Sequence, residues 1–455
     1  MIMAGPNEVQ AKILMGWRQR HDGRRRTIGL HTAHLVDQSN RGSESSDSDP
    51  LYYEGDSHLM TFAPTGAGKG RGVIIPTLLD YPGSVVVIDP KGENYRVTGR
   101  ARREMGQQVV VLDPFGKVTD SDRPSDRFNV LDIFDLPGTI ADADSLMLSW
   151  QIAGGQTFSK DPFWDNSGTA LLYGLISHVV TALPKEERNL NRVLKYVYND
   201  DVIYNLAALL DSKSVKCPHA YRELAAFLQL PERDTRPSVL ATAISWVKAM
   251  NTQCVENVLQ SSTFPLEDLL HGRPISIYLV IPPEKLHSYK ALLRLWVSAL
   301  TTTVLRRTCR PALSTLFLLD EAAQLGTMPL LEQAVTLLRG YGLQVWTFWQ
   351  DVEQIQANYP GSYRTLINNA SALQTFGISN SSMASQLAEI LDCSAGDLLK
   401  MSATEARIFI RGHGSETTTR PDYLNDKRFA GRFDSNPFFA SPTEAVHPPR
   451  RSHRK

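Results

Sequence analysis

Three short apolar runs, each ended by acidic residues, constrain the fold of this 455-residue chain more than any other feature. They are GSVVVIDP at 83–90, QQVVVLDP at 107–114 and STLFLLDEAAQL at 314–325. Continuous β-branched and aliphatic runs of this length are typical of strands buried on both faces of a sheet. Because the first two follow a glycine-rich loop and alternate with helix-like segments, the pattern predicts an α/β fold with a doubly wound, mainly parallel sheet.

Four further segments also have the composition of strands. They are SHLMTFAP at 57–64, PISIYLVIPP at 274–283, GLQVWTFWQD at 342–351 and ALQTFGIS at 372–379. Residues 140–262 instead show helical apolar spacing with no convincing strand. We therefore predict a nucleotide-binding core formed by 51–139 and 263–440 and interrupted by an all-α domain at 140–262.

Both ends of the chain have the composition of weakly ordered segments. Residues 1–50 combine a basic stretch with a Ser-rich acidic stretch, and 441–455 are Pro-rich and basic. We predict a weakly ordered arm at 1–50, order from near Leu51 onward, and a disordered tail. The basic stretch of the arm is either solvated or in contact with a membrane surface or nucleic acid.

Charge and cysteine content exclude few classes of function. Lys and Arg together number 48, as do Asp and Glu, so net charge gives no argument for a nucleic-acid partner, although a locally basic channel remains open. The four cysteines lack metal-binding spacing and are expected to be reduced thiols of a cytoplasmic protein. No run reaches the ~18 apolar residues of a membrane helix.

The segment APTGAGKG at 63–70 has the glycines and the lysine of a phosphate-binding loop. That loop normally begins with Gly and ends with Ser or Thr, where this chain has Ala63 and Gly70. Backbone N–H groups from about Gly66 onward would surround the β-phosphate, and Lys69 would reach the β- and γ-phosphates. The predicted nucleotide contacts are Thr65, Gly66, Ala67, Gly68, Lys69, Gly70 and Arg71.

The run LFLLDEAAQ supplies the second half of a nucleotide site. Asp320 would hold Mg²⁺ through water, since Mg²⁺ usually retains several waters, and Glu321 would polarise the attacking water. A glycine-rich loop alone could be a flexible turn. Its combination with two carboxylates after a buried strand favours a working nucleotide site.

Several segments, in this order, resemble the coupling proteins of type IV secretion and conjugation, which are P-loop DNA-translocating ATPases related to hexameric RecA-like motors. The segments are APTGAGKGRGVIIPTLL, GSVVVIDPKGENY, VLDPFG, RFNVLD, DPFWDNSGTALLYGLI, LFLLDEAAQLG, LRGYGLQVWTFWQDVEQI and RPDYLNDKRFAGRFDSNP. Together they span roughly 51–440. Glycine directly after the lysine is usual in this family, so the resemblance implies that Gly70 is compatible with a working site.

The resemblance also implies catalytic roles for two more residues. Arg339 would reach into the neighbouring subunit's site and stabilise charge on the γ-phosphate. Without the resemblance, the local sequence favours a helix-end arginine that binds last-turn carbonyls. Gln350 would sense the γ-phosphate or orient water, unless it is simply a polar residue at a strand end. Asp89, Lys91 and Glu93 could line the site or a subunit contact.

By the same resemblance, the protein is an ATP- and Mg²⁺-dependent translocase that delivers DNA, or relaxase-bound DNA and protein, to a secretion channel. DNA binding would be largely sequence-independent, the active form a homo-hexamer, and the all-α domain the part that receives substrates. A receptor that recruits protein cargo without moving DNA, and a DNA-packaging or segregation pump, remain alternatives.

Most coupling proteins begin with membrane-spanning helices, and this chain shows none. It is a soluble relative that meets the inner face of the membrane through partner proteins, a motor that works without a membrane complex, or a fragment. The first reading is favoured slightly.

Overall fold

The computed structural model describes residues 12–18, 49–154 and 161–437. The rest of the predicted arm and the predicted tail at 441–455 lie outside the described residues. The strands are β1 (Ile13–Arg18), β2 (Asp49–Tyr53), β3 (His58–Phe62), β4 (Val85–Ile88), β5 (Gln108–Leu112), β6 (Ile275–Leu279), β7 (Thr315–Leu319), β8 (Leu343–Trp349), β9 (Ala370–Thr375), β10 (Glu405–Ile410) and β11 (Gly414–Thr419).

The α-helices follow the same numbering along the chain. They are α1 (Ile75–Asp80), α2 (Glu93–Glu104), α3 (Ala141–Ala153), α4 (Pro162–Ala182), α5 (Leu190–Val197), α6 (Val202–Asp211), α7 (Pro218–Gln229), α8 (Thr235–Val247), α9 (Gln253–Leu259), α10 (Leu266–Leu270), α11 (Pro283–Leu305), α12 (Pro329–Leu337), α13 (Val352–Asn358), α14 (Tyr363–Asn369), α15 (Ser381–Ile390) and α16 (Ala395–Lys400). Among the described residues, no helix combines the length and apolar character needed to cross a membrane.

All described strands form one sheet in the order β2-β1-β11-β10-β9-β3-β8-β7-β4-β6-β5. The seven strands from β9 to β5 pair in parallel, and the four at the other edge pair antiparallel. The prediction of a mainly parallel α/β sheet is confirmed. Since the parallel strands share one direction, their carboxyl ends meet at one edge, where ligands bind in such sheets.

The parallel strands are buried on both faces, as their continuous apolar runs predict. In β4, Val85 and Val87 pack into one apolar cluster, while Val86 and Ile88 pack into another on the opposite face. The described residues between 141 and 270 contain helices and no strand. The apolar side chains of this helical segment join the cluster that also covers one face of the sheet. Its independence as a domain stays a prediction.

The structure corrects the expectation that order begins near Leu51. β1 lies between β2 and β11, and its residues Ile13, Leu14 and Met15 are at most 4% exposed. The short run ILMGWR gains its structure from these two neighbouring strands rather than from its own sequence pattern. β11 was not predicted either, because its polar sequence GSETTT has no strand pattern and the strand depends on its neighbours in the sheet.

Candidate nucleotide-binding site

The loop between β3 and α1 takes the backbone conformation that its glycines allow. Gly66 and Gly68 have φ values of 82° and 88°, in the left-handed region that favours glycine. Ala63, in the place of the usual first glycine, has a negative φ and is fully buried, so its methyl group is accommodated without backbone strain. The π-helical turn Gly70–Ile74 then continues into α1, and the amide of Ile75 donates to the Gly70 carbonyl oxygen, so the amino end of this helical stretch lies at the loop itself.

Lys69 connects the loop to the carboxyl end of β7. Its side chain is only 9% exposed, and Nζ lies 3.4 Å from Oε1 of Glu321. Nζ also donates to the Ala63 carbonyl oxygen over 3.3 Å. The two segments predicted from sequence to form one site, 252 residues apart, therefore meet in space.

Glu321 lies at the centre of the polar contacts in the site. Its second carboxylate oxygen, Oε2, accepts a hydrogen bond of 3.2 Å from Nε2 of Gln350 at the end of β8. The Glu321 backbone is left-handed, with φ 54° and ψ 47°. This conformation is uncommon for a residue other than glycine and concentrates at functional sites. Oδ1 of Asp320, the preceding residue, accepts a hydrogen bond of 3.1 Å from the Glu321 backbone amide.

Two carboxyl groups of the site hold protons more tightly than usual. Burial, reinforced by the charge of Glu321 and opposed by Lys69, raises the pKa of Asp320 to about 6. Burial also raises the pKa of Asp89 to about 7, although the amides of Asn94 and Tyr95 donate to its carboxylate. Both groups therefore titrate close to neutral pH.

The loop, β4, β7 and β8 surround a cavity of about 460 Å³ at the carboxyl edge of the sheet. Its lining contains most of the residues predicted to bind nucleotide, together with others that were not predicted. The lining residues are Thr65, Gly66, Gly68, Lys69, Gly70, Arg71, Asp89, Pro90, Lys91, Glu93, Asn94, Pro283, Leu286, His287, Asp320, Glu321, Gln324 and Gln350.

Ala67 is the one predicted loop contact that does not line this cavity. Its side chain faces Gly377, where an added Cβ would lie 2.7 Å from the Ala67 Cβ. The predicted site also missed Leu286 and His287 of α11. Their sequence, PEKLHSY, carries no recognisable motif, and only the tertiary fold brings α11 to the loop.

The three residues that sequence left undecided all line the cavity. Asp89 is 1% exposed and accepts hydrogen bonds from the amides at the start of α2, so it fixes this helix against the loop.

A Cβ at Gly70 would have room, since the nearest atoms are the Glu93 carboxylate oxygens at 3.9 Å. Steric exclusion therefore does not explain the absence of a hydroxyl at position 70.

The oxygen ligands present suit Mg²⁺ bound largely through water and phosphate. The part of the chain that the structure describes has no group of three or more His, Cys, Asp or Glu side chains arranged to hold a metal. Mg²⁺ is typically bound by one or two carboxylates plus nucleotide phosphates and waters, and Asp320 can provide such a carboxylate.

A C-terminal segment, residues 420–436, contacts the phosphate-binding loop directly. Arg420 Nη1 donates to the Ala67 carbonyl oxygen over 2.8 Å, and its guanidinium lies 4.2 Å from the centre of the Phe376 ring. Arg71, two residues after the lysine, forms a bidentate pair with Asp422 at 2.7 and 2.6 Å. We name this segment the C-terminal clasp. The run RPDYLND was recognised in the sequence only through resemblance.

Arg339 lies at the other edge of the sheet. It precedes β8, whose far end carries Gln350, and it does not line the nucleotide cavity of its own chain. Its side chain is 60% exposed, with Nε 3.7 Å from Oδ1 of Asp56. Nearby His58 is buried, and this burial, together with the charge of Arg339, lowers the His58 pKa to about 4. Any role for Arg339 in hydrolysis therefore requires another subunit.

The chain is similar to known proteins of conjugation. The family model described as Type IV secretory system Conjugative DNA transfer matches residues 23–409. The conjugal transfer protein TraG of Escherichia coli is 25% identical over 340 residues, which cover 68% of this chain and 50% of that protein. VirD4 of Rhizobium radiobacter is 27% identical over 328 residues, covering 70% and 45%. The chain thus spans about half the length of these curated relatives.

Solved structures share the fold. The plasmid coupling protein TrwB in complex with ADP and Mg²⁺ superposes with a TM-score of 0.61 at 14% identity, covering 81% of this chain and 86% of that one. This likeness confirms the predicted fold, a RecA-like core with a mainly parallel sheet. Since the family model matches more than half of the chain, the protein belongs to the type IV secretory system conjugative DNA transfer family.

Proposed function

We propose that this protein binds and hydrolyses ATP with Mg²⁺ and uses the energy to move DNA toward a type IV secretion or conjugation channel. The observation that carries the proposal is the contact of Lys69 with Glu321 across the cavity, with Gln350 on the other carboxylate oxygen. These three groups come from three elements that meet only in the folded chain. TrwB, which shares the fold, has been solved with ADP and Mg²⁺ and with an ATP analogue.

Each side chain has a distinct proposed task. The amides of Gly66, Gly68 and Gly70 and the Lys69 ammonium bind the β- and γ-phosphates. Bound Mg²⁺ would neutralise charge on the phosphate oxygens, with Asp320 holding its waters. Nucleotide would then draw Lys69 toward the phosphates, which would free one oxygen of Glu321 to polarise the attacking water. Gln350 donates to the other carboxylate oxygen of Glu321, and its position would change when the γ-phosphate is lost.

We further propose that the active form is a ring, the hexamer implied by the family resemblance. Arg339 is exposed and far from its own cavity, so it is available to complete the site of an adjacent subunit. The relatives TraG, a conjugal transfer protein, and VirD4, a type IV secretion system-coupling protein, support DNA and secretion-channel proteins as partners. The proposal of a relaxase as a further partner rests on the family resemblance alone.

Two variants test the hydrolytic site. Lys69→Ala should lose both nucleotide binding and hydrolysis. Glu321→Gln should still bind nucleotide, since the amide oxygen remains an acceptor, but it should lose hydrolysis by about 100-fold or more. The matched controls Lys195→Ala and Glu389→Gln change exposed residues on α5 and α15 and should keep wild-type turnover.

The effect of DNA separates the proposed translocase from a nucleotide-controlled receptor. Turnover should rise when single- or double-stranded DNA is added, and it should rise cooperatively with protein concentration. Turnover within about tenfold of wild type in both site variants would refute the assigned roles. Nucleotide binding with no response to DNA would refute translocation and favour the receptor.

A further inference from the structure

A second cavity, of about 410 Å³, lies between the helical segment and the chain that follows Glu321. It is enclosed by the C-terminal half of α3, the middle of α11 and the start of α12. Most of its lining area is apolar, and Arg294 is the only charged residue among the described residues that line it. The lining residues are Met147, Trp150, Gln151, Gly154, Arg294, Ser298, Thr327, Met328, Pro329, Leu330 and Gln333.

Arg294 carries a buried charge with no ion-pair partner in the part of the chain that the structure describes. The residue is 5% exposed, and its Nε and Nη1 atoms have no hydrogen-bond acceptor. Burial accordingly lowers its pKa. Leaving a guanidinium buried and unpaired is costly, and native proteins rarely do so without a functional reason. Oε1 of Gln151, in the same cavity, also lacks a donor.

The surroundings leave space for the guanidinium and for a ligand. Gly154 ends α3 with φ 78°, and a Cβ at this position would collide with the Arg294 guanidinium. Trp150 is 46% exposed at the side of the cavity. The arrangement is a mainly apolar pocket with one convergent cation, which is the usual composition of a small-molecule site.

We propose that this cavity binds a carboxylate carried on an apolar body, with the carboxylate paired to Arg294. A single planar guanidinium matches one carboxylate in a bidentate pair. A dianionic phosphate would need a second cation, and the lining residues that the structure describes offer none. Met147, Trp150 and Leu330 would contact the apolar part of the ligand.

The position of this pocket links it to the nucleotide cavity. Thr327 and Met328 follow the 3-10 turn Ala322–Leu325, which begins directly after Glu321. α11 contributes Leu286 to the nucleotide cavity and Arg294 to the second one, with a kink at Tyr289 between them. A ligand bound at Arg294 should therefore alter the turnover of ATP. This effect on turnover rests on the proposed function, but the binding of the ligand does not depend on it.

The experiment is calorimetric titration of the full chain with 4-phenylbutyrate, with the neutral 4-phenylbutanamide as its control. The acid should bind at one site and at least about tenfold more tightly than the amide, because the charged pair is desolvated. Arg294→Met should abolish this preference, and Arg294→Lys should restore part of it. Lys290→Met, on the same helix but outside the lining, should bind as the wild type does.

Two further measurements keep the result decisive. If Arg294→Met does not fold, Leu330→Trp narrows the pocket without changing the cation and should also weaken binding of the acid. Lys69→Ala should bind the acid normally, so a failure of the proposed ATPase would leave this result intact. Absence of binding, equal binding of acid and amide, or unchanged acid binding by both Arg294→Met and Leu330→Trp overturns the proposal.

Discussion

Removal of the Arg420 side chain tests whether the C-terminal clasp holds the phosphate-binding loop in its binding conformation. Arg420 donates to the carbonyl of Ala67, inside the loop, and stacks on Phe376. A second bond runs from Nη2 to the Ala403 carbonyl. In Arg420→Met, the apolar stem is kept and the charged group is lost, so the Ala67 carbonyl loses its only side-chain tether to the clasp.

The size of the effect follows from these contacts. A hydrogen bond from a charged donor contributes about 1.5–3 kcal/mol when buried, and a cation–π contact about 0.5–2 kcal/mol. Since Arg420 is only partly buried, we expect the free energy of unfolding to fall by about 2 kcal/mol. If about 1.4 kcal/mol of this loss comes from disorder of the loop, nucleotide binding must supply that free energy to order the loop again. The dissociation constant for nucleotide then rises about tenfold.

The assay is titration of a fluorescent ATP analogue, with urea unfolding measured in parallel. Arg428→Met is the matched control because Arg428 docks the same segment elsewhere, through Asp80 Oδ1 and Oδ2 at 2.8 Å each. It should lower stability to a similar extent and leave nucleotide affinity unchanged. Equal losses of affinity in the two variants, or no loss in Arg420→Met, would refute a direct action of the clasp on the loop.

Three other perturbations have defined outcomes. Burial raises the folded-state pKa values of Asp89 and Asp320 to about 7 and 6, so the folded protein binds more protons than the unfolded chain. The free energy of unfolding without nucleotide, measured by urea titration, should therefore fall as pH rises from about 4 to 7, and it should fall less in Asp89→Asn. A free energy of unfolding that does not change with pH contradicts these pKa values. Arg102→Met should lower the free energy of unfolding by about 3 kcal/mol or more, since the fully buried guanidinium donates to Gly83 and Gln107 at 2.6 Å and to three further oxygen atoms. A change within about 0.5 kcal/mol would disprove this role. Mixing Arg339→Ala with Lys69→Ala protein should restore turnover that neither has alone, because a mixed interface has one intact loop and one intact arginine; activity no higher than the sum of the two argues against a shared site.

The central strands and the paired acids could be predicted because local sequence determines them. β3, β4, β6, β7 and β8 are short, mostly apolar runs buried along their whole length, and such runs are recognisable without knowledge of their neighbours. The lysine and the two carboxylates follow from the ends of these strands, since parallel strands bring their carboxyl ends together.

The parts that sequence missed depend on distant neighbours. β1 and β11 have little strand pattern of their own and form because other strands satisfy their backbones: β1 pairs mainly with β2, and β11 mainly with β10. Arg420 and Asp422 of the clasp lie some 350 residues from the loop residues they bind, and nothing near them in sequence indicates that contact. The unpaired guanidinium of Arg294 is equally invisible, because its environment consists of three helices far apart in the chain.

The place of β1 between β2 and β11 has a consequence for how the molecule matures. Trp17 pairs with Thr419 across some 400 residues, so the antiparallel edge cannot close until nearly the whole polypeptide has left the ribosome. Until then, β2 and the parallel strands expose a sheet edge with unpaired backbone N–H and C=O groups, and such edges promote aggregation. Shortened versions that lack the first 18 residues would leave β11 as an open sheet edge and β2 without its partner strand, and they should be poorly soluble even though every nucleotide-binding residue is still present.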